Sequence, residues 1–217
     1  HGGASQAILN FSGNYACGSE EYFYPDMSNN GNRKGEGITT LSQNYISGKG
    51  PLANGGGGGN ATNAGGGGGS NGTAGGNGGY EYGYGCGSGY STNTGGIGGK
   101  PLQYNDTQNQ IFLGGGGGVG EENENGSPNG GDGGGIAIIL ADQINENNQF
   151  ITANGQTPAG FPNGYGNDGG SGGGAGGTVL INSTNITSQL NIQDLGGSGS
   201  NTTPKDPNSL DHGPGGG

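Results

Sequence analysis

The chain has 217 residues, 62 of them Gly and 9 Pro, with 25% hydrophobic residues, 10% charged residues and no Trp, a composition that almost excludes a conventional apolar core. Net charge is −11, and the five basic residues Arg33, Lys34, Lys49, Lys100 and Lys205 form no stripe that could meet phosphates, which excludes nucleic acid as a partner class. The longest apolar run, 136–141, has six residues against the ~20 that a membrane helix needs, so no membrane span is expected.

In chain order, apolar segments at 7–16, 37–46, 101–113, 136–153 and 178–195 alternate with glycine tracts at about 54–100, 114–135, 155–177 and 196–217. A disordered chain carries high charge and few aromatics, whereas this one has 10 Tyr and 5 Phe set in β-type segments. The glycine is therefore read as ordered. The whole chain, 1–217, is expected to be a single glycine-rich module, with an N-terminal region spanning 1–99 and a repetitive region spanning 100–217. Opening on His1 without a charged, apolar leader, it is read as a mature chain or a module of a longer one.

The N-terminal region holds Cys17 and Cys86, whose spacing with His1 and His212 makes no zinc site. They are expected to pair as one disulfide closing a loop of about 70 residues, which would stabilise by roughly 4 kcal/mol in the chain-entropy model. The run YEYGYGCGSGY places Tyr80, Tyr82, Tyr84 and Tyr90 close together, and alternation sets the first three rings on one face of an extended chain. Such a face packs over glycine or forms a subunit interface; the alternative is stacking on sugars. Eight N-x-S/T sequons, at Asn10, Asn60, Asn71, Asn105, Asn125, Asn182, Asn185 and Asn201, are possible glycosylation sites of an extracellular chain.

In the repetitive region, IAIILADQI then FITANG, and TVLINSTNI then QLNIQDLGG, read as two copies of one unit: a nine-residue β-branched strand, a polar turn, and a shorter returning strand. The copies are offset by 42 residues and then by 40, and KPLQYNDTQNQIFL has the same shape. Glycine costs about 1 kcal/mol per residue against Ala in a helix, so long helices are excluded. The glycine runs lack the Gly-X-Y register of collagen. They suit extended threefold chains of the polyglycine II type, which approach closely because there is no Cβ. Five glycines at ~3.1 Å per residue span about 15 Å. The expected fold is all-β: short strand pairs or β-helix-like repeats combined with ordered polyglycine II type segments, with essentially no helix. Ordering this much glycine costs ~1–2 kcal/mol of backbone entropy per residue, which favours stacking against further copies.

Candidate chemistry is sparse. His1 and His212 sit in glycine contexts without a partner nucleophile. Glu20 and Glu21, and Glu121, Glu122 and Glu124, are read as solvated loop charge rather than as a paired-carboxylate site. Asp132 and Asp168, in NGGDGGG and GNDGGSGGG, are turn formers or, alternatively, oxygen ligands for Ca²⁺. No other cofactor is implied.

The stretch IFLGGGGGVGEENENGSPNGGDGGGIAIILADQI, with FITANG, GNDGGSGGGAGGTVLINSTNI and the terminal GPGGG, resembles glycine-rich modules of large surface proteins of the Bacteroidota, exported by the type IX system and carrying gliding-motility-associated C-terminal domains. The resemblance covers about 100–217. It implies an extracellular adhesin or filament module with no catalytic residues. The expected function is thus a non-enzymatic, self-associating structural subunit of an extracellular fibre, filament or cell-surface adhesin. The alternative is a glycan- or protein-binding ectodomain, an adhesin tip or a receptor glycine-rich region. Copies of the chain itself, and secondarily glycans, are the expected partners.

Overall fold

The computed structural model describes residue 22 and residues 32–39, 45–60, 63–79, 94–105, 109–122, 126–145, 147–161, 168–202 and 215–217. Among them the regular elements are four strands, β1 Ile136–Ile144, β2 Phe150–Thr152, β3 Thr178–Ile186 and β4 Asn191–Gln193, and there is no α-helix. The fold is all-β and essentially helix-free, as the glycine density required.

The body is a lattice of extended struts whose backbone groups bond sideways. The strut 64–70 shows the rule. Gly65 and Gly68 donate to Gly79 and Gly76, Gly66 and Gly69 to Gly170 and Gly173, and Gly67 and Ser70 to Gly57 and Asn54, all at 2.8–2.9 Å. Every third N–H thus faces the same neighbour, which is a helix of three residues per turn with no internal hydrogen bonds. Its carbonyls accept from three further segments: from Gly96 and Gly99, from Gly216, and from Gly115, Gly118 and Glu121. One strut is therefore bonded to six neighbours. The strut 169–177 repeats the pattern, donating to 114–121, to 153–156 and to Gly216, and accepting from 64–70, from Gly131 and Gly134, and from 197–200.

Sterics explain why these positions are glycine. The described glycines in the left-handed region are Gly48 and Gly126, at φ 105° and 90°, so the struts use conformations open to other residues. What they cannot hold is a side chain. A Cβ on Gly118 would lie 2.0 Å from Gly57 O, and one on Gly172 would lie 2.1 Å from Gly67 O. Where the lattice leaves room, small or polar residues enter. Ala64, Val119 and Ala175 are buried, and Asn54 Nδ2 donates to Ser70 O and Leu113 O at 3.1 Å while its Oδ1 accepts from Ile38 N at 2.7 Å. The buried hydrophobic side chains among the described residues are only Leu52, Ala64, Val119, Ala153 and Ala175. The interior is peptide, not hydrocarbon.

Both nine-residue strands begin at the positions expected from sequence, where a glycine pair ends. Their pairing corrects the reading of each repeat as a self-contained strand pair. β1 pairs with β3 in parallel, Ile136 opposite Thr178, and β2 pairs with β4 in parallel, Phe150 opposite Asn191, so each repeat is a rung beside the next. This is the β-helix-like form of the expectation, with offsets of 42 and then 41 residues. The cause lies in the lattice: Gly131 donates to Gly172 and Gly134 to Ala175, so the two struts arrive parallel and in register and leave as parallel strands. The described residues of 101–113 and of 37–46 form none of these strands, and 7–16 lies outside the described residues.

Candidate functional site

Three features stand out where the lattice ends. The first is the projecting sheet. Parallel sheets are normally covered on both faces, yet β1 and β3 form a two-stranded sheet whose outward residues Ile138, Leu140 and Leu180 are 55%, 70% and 42% exposed. Ile138 and Leu180 are register partners, so these side chains make one patch. Each strand also has one edge without a strand neighbour among the described residues.

The second is a cleft of about 450 Å³ at the root of that sheet, lined by Ser70, Asn71, Thr73, Tyr104, Thr178 and Asp194 among others. Its polar groups are tied to one another. Tyr104 Oη donates to Asn71 Oδ1 at 2.6 Å and lies 2.7 Å from Thr178 Oγ1, which in turn donates to Phe112 O at 2.7 Å. Asn71 Nδ2 donates to Gly177 O at 2.6 Å and Gly176 O at 3.0 Å, pinning the turn after Ser70 to the strut that becomes β3. Tyr104 also meets Phe112 edge-on, with centroids 5.3 Å apart.

The third lies at the opposite end of the strut 169–177. Here the turns around 63–64, 121–122 and 168–169 converge: Asn63 N donates to Glu121 Oε2 at 3.0 Å, Glu121 N to Ala64 O at 2.8 Å, and Gly169 N to Glu121 O at 2.9 Å. Ser127 Oγ donates to Gly169 O at 2.6 Å and binds Glu121 O at 3.2 Å. Glu121, Glu122 and Asp168 are 6%, 1% and 0% exposed, which corrects the reading of Glu121 and Glu122 as solvated loop charge. The lattice end closes over them. Neither carboxylate oxygen of Glu122 has a close hydrogen-bond partner, only the Ser127 backbone lying near enough to favour its charge, and the buried Asn63 Oδ1 has none. Burial, then the charge of Asp168, pushes the Glu122 carboxyl up to about 7, opposed to some extent by the nearby Ser127 backbone.

No family model, curated protein or solved structure matches this chain. Its function is therefore read from geometry.

The residues singled out from sequence are distributed unevenly over these features. Cys17, Cys86, Tyr80, Tyr82, Tyr84, Tyr90, Asn10, Asn125, Glu20, Glu21, Glu124, His1 and His212 lie outside the described residues. Asn105, Asn182, Asn185 and Asn201 are exposed. Asn60 and Asn71, at 0% and 9% exposure, are not suitable glycan acceptors in the folded lattice, and the Asn71 amide is already engaged. Asp132 and Asp168 do not share a site: they lie level with residues 116 and 122 of one strut, roughly 19 Å apart at ~3.1 Å per residue. Tyr104 and Glu122 carry no local signature that would mark them in the sequence. Two lysines are also drawn inside: Lys34 Nζ donates to Tyr22 O and Gly50 O, and Lys49 Nζ lies 5.1 Å from the Tyr22 ring centroid. Burial lowers Lys34 from its usual 10.5 to about 8.

Proposed function

We propose that this chain is a structural, self-associating module of an extracellular fibre or cell-surface adhesin, acting through assembly rather than catalysis. The observation that carries the reading is the parallel pair β1–β3, with an exposed apolar patch at Ile138, Leu140 and Leu180 and two edges that have no strand neighbour among the described residues. Within the chain, β3 is related to β1 by a parallel shift of one rung. The same shift applied between molecules places β1 of one copy on the open edge of β3 of another. That contact is head-to-tail, so it propagates instead of closing into a dimer. Surface setting is supported by the resemblance of 100–217 to Bacteroidota surface modules. The glycan- or protein-binding reading has less support, because the Tyr104, Asn71 and Thr178 groups of the cleft already satisfy one another.

Sedimentation velocity across a concentration series, with electron microscopy of the same samples, tests the assembly. The expected result is concentration-dependent growth into filaments that Leu140→Lys, at a 70% exposed position, suppresses without unfolding the chain. A wild-type chain that stays monomeric at the highest attainable concentration rejects the proposal.

A further inference from the structure

We infer that the lattice end formed by Glu122, Asp168 and Asn63 is a binding site for a divalent cation of the calcium type. The argument starts from what cannot be left as it stands. A carboxylate that is 1% exposed, with no close hydrogen bond to either oxygen and only the Ser127 backbone near enough to favour its charge, is among the costliest groups a fold can carry unless something neutralises it. Beside it lies a second carboxylate, Asp168, at 0% exposure, whose charge opposes ionisation of Glu122. Like charges held together in the absence of solvent are relieved by a proton on one of them or by a cation between them.

A second and separate observation points the same way. Asn63 Oδ1 is a buried acceptor with no donor, in the turn tied to Glu121 through its own N–H. Thus three buried oxygens without a close donor, two from Glu122 and one from Asn63, belong to the segments that meet at this end. All the candidate ligand atoms are hard oxygens, carboxylate and amide, with backbone carbonyls of the strut ends close by. That donor set suits Ca²⁺, which accepts irregular shells of six to eight oxygens, better than Mg²⁺ with its strict octahedron or Zn²⁺ with its preference for nitrogen and sulfur. Among the described residues no three His, Cys, Asp or Glu side chains form a metal cluster, so neutral oxygens must complete the shell.

The location gives the cation a role. It would tie together Asn63 at the head of the strut 64–70, Asp168 at the head of 169–177 and Glu122 at the foot of 114–121, three segments that bond to one another through the body of the lattice. Removal of the ion should loosen the end of the lattice opposite the projecting sheet.

Isothermal titration of the full chain with calcium chloride, in a background of excess sodium chloride, tests the site. One calcium per chain is expected, together with a rise in melting temperature that EDTA reverses. Glu122→Gln should weaken binding at least tenfold and abolish the calcium-dependent rise, while Glu36→Gln, at an exposed position, leaves both unchanged. Asp168→Asn provides a second variant should Glu122→Gln fail to fold. Absence of saturable calcium binding to the wild type overturns the inference, as does equal loss in the Glu36 control, which would mean that ions merely gather around the net charge. A wild type stabilised only by acidification, with no response to calcium, assigns the site to a proton instead and equally overturns it.

Discussion

Gly118→Ala is the sharpest probe of the lattice. Gly118 N donates to Gly67 O, and Gly118 O accepts from Gly172 N, so the residue links two six-coordinate struts. The added Cβ would sit 2.0 Å from Gly57 O and 2.5 Å from its carbonyl carbon, both backbone atoms that no rotamer change can move. Reaching ordinary contact requires a displacement of about 1.4 Å, enough to break lateral bonds on both sides. Overpacking costs about 1–3 kcal/mol, and each buried peptide group left unpaired costs about 1–3 more. Lower entropy of the unfolded chain returns only about 0.4–1 kcal/mol. The net loss should therefore be about 3 kcal/mol or more. Gly135→Ala is the matched control: its Cβ would meet nothing within 4 Å, so the change should be neutral or stabilise by a few tenths to about 1 kcal/mol. Urea denaturation followed by circular dichroism measures both. Equal effects at the two positions, or a loss below about 1 kcal/mol at Gly118, would refute the steric account of the glycine requirement.

Two further outcomes follow from the buried groups. Lys34 holds its proton less tightly when folded, about 8 against 10.5, so between those values the unfolded chain binds more protons and wild-type stability should rise with pH, by up to about 3 kcal/mol. The measurement is the wild-type stability curve minus that of Lys34→Met, since tyrosines also titrate in this window; a flat difference from pH 8 to 10.5 contradicts the burial. Because the interior is peptide, calorimetric unfolding should show a heat-capacity increment well below the ~12–15 cal/mol/K per residue of ordinary domains. An average increment would mean that apolar burial dominates after all.

How much of this was legible depended on whether the information was local. The starts of β1 and β3 were readable because β-branched residues follow a glycine pair at Ile136 and at Thr178. Their partners were not. A polar turn after Ile144 suggests that the chain folds back onto its own strand, and only the register of Gly131 and Gly134 against Gly172 and Ala175 makes the rungs pair across repeats. The polyglycine II character was readable from composition, whereas the six neighbours of 64–70 depend on contacts over as many as 150 residues, as between Gly216 and Gly66. Glu121 and Glu122 illustrate the limit most clearly. In EENENG they look like surface charge, and they are interior because the turns at 63–64 and 168–169 close over them.

The lattice mixes directions freely. The strut 64–70 runs parallel to 169–177 and antiparallel to 114–121, with bonds of 2.8–2.9 Å in both cases. A threefold extended chain offers its N–H and C=O groups radially whichever way it travels, so the packing is indifferent to polarity. Connectivity is then a matter for the loops alone. The same cross-section can be threaded in many orders, and a duplicated strut with its loop can be added at the perimeter without re-registering what lies inside. Such a protein can change its girth one chain crossing at a time, a route to variation closed to folds whose interior depends on interlocking side chains.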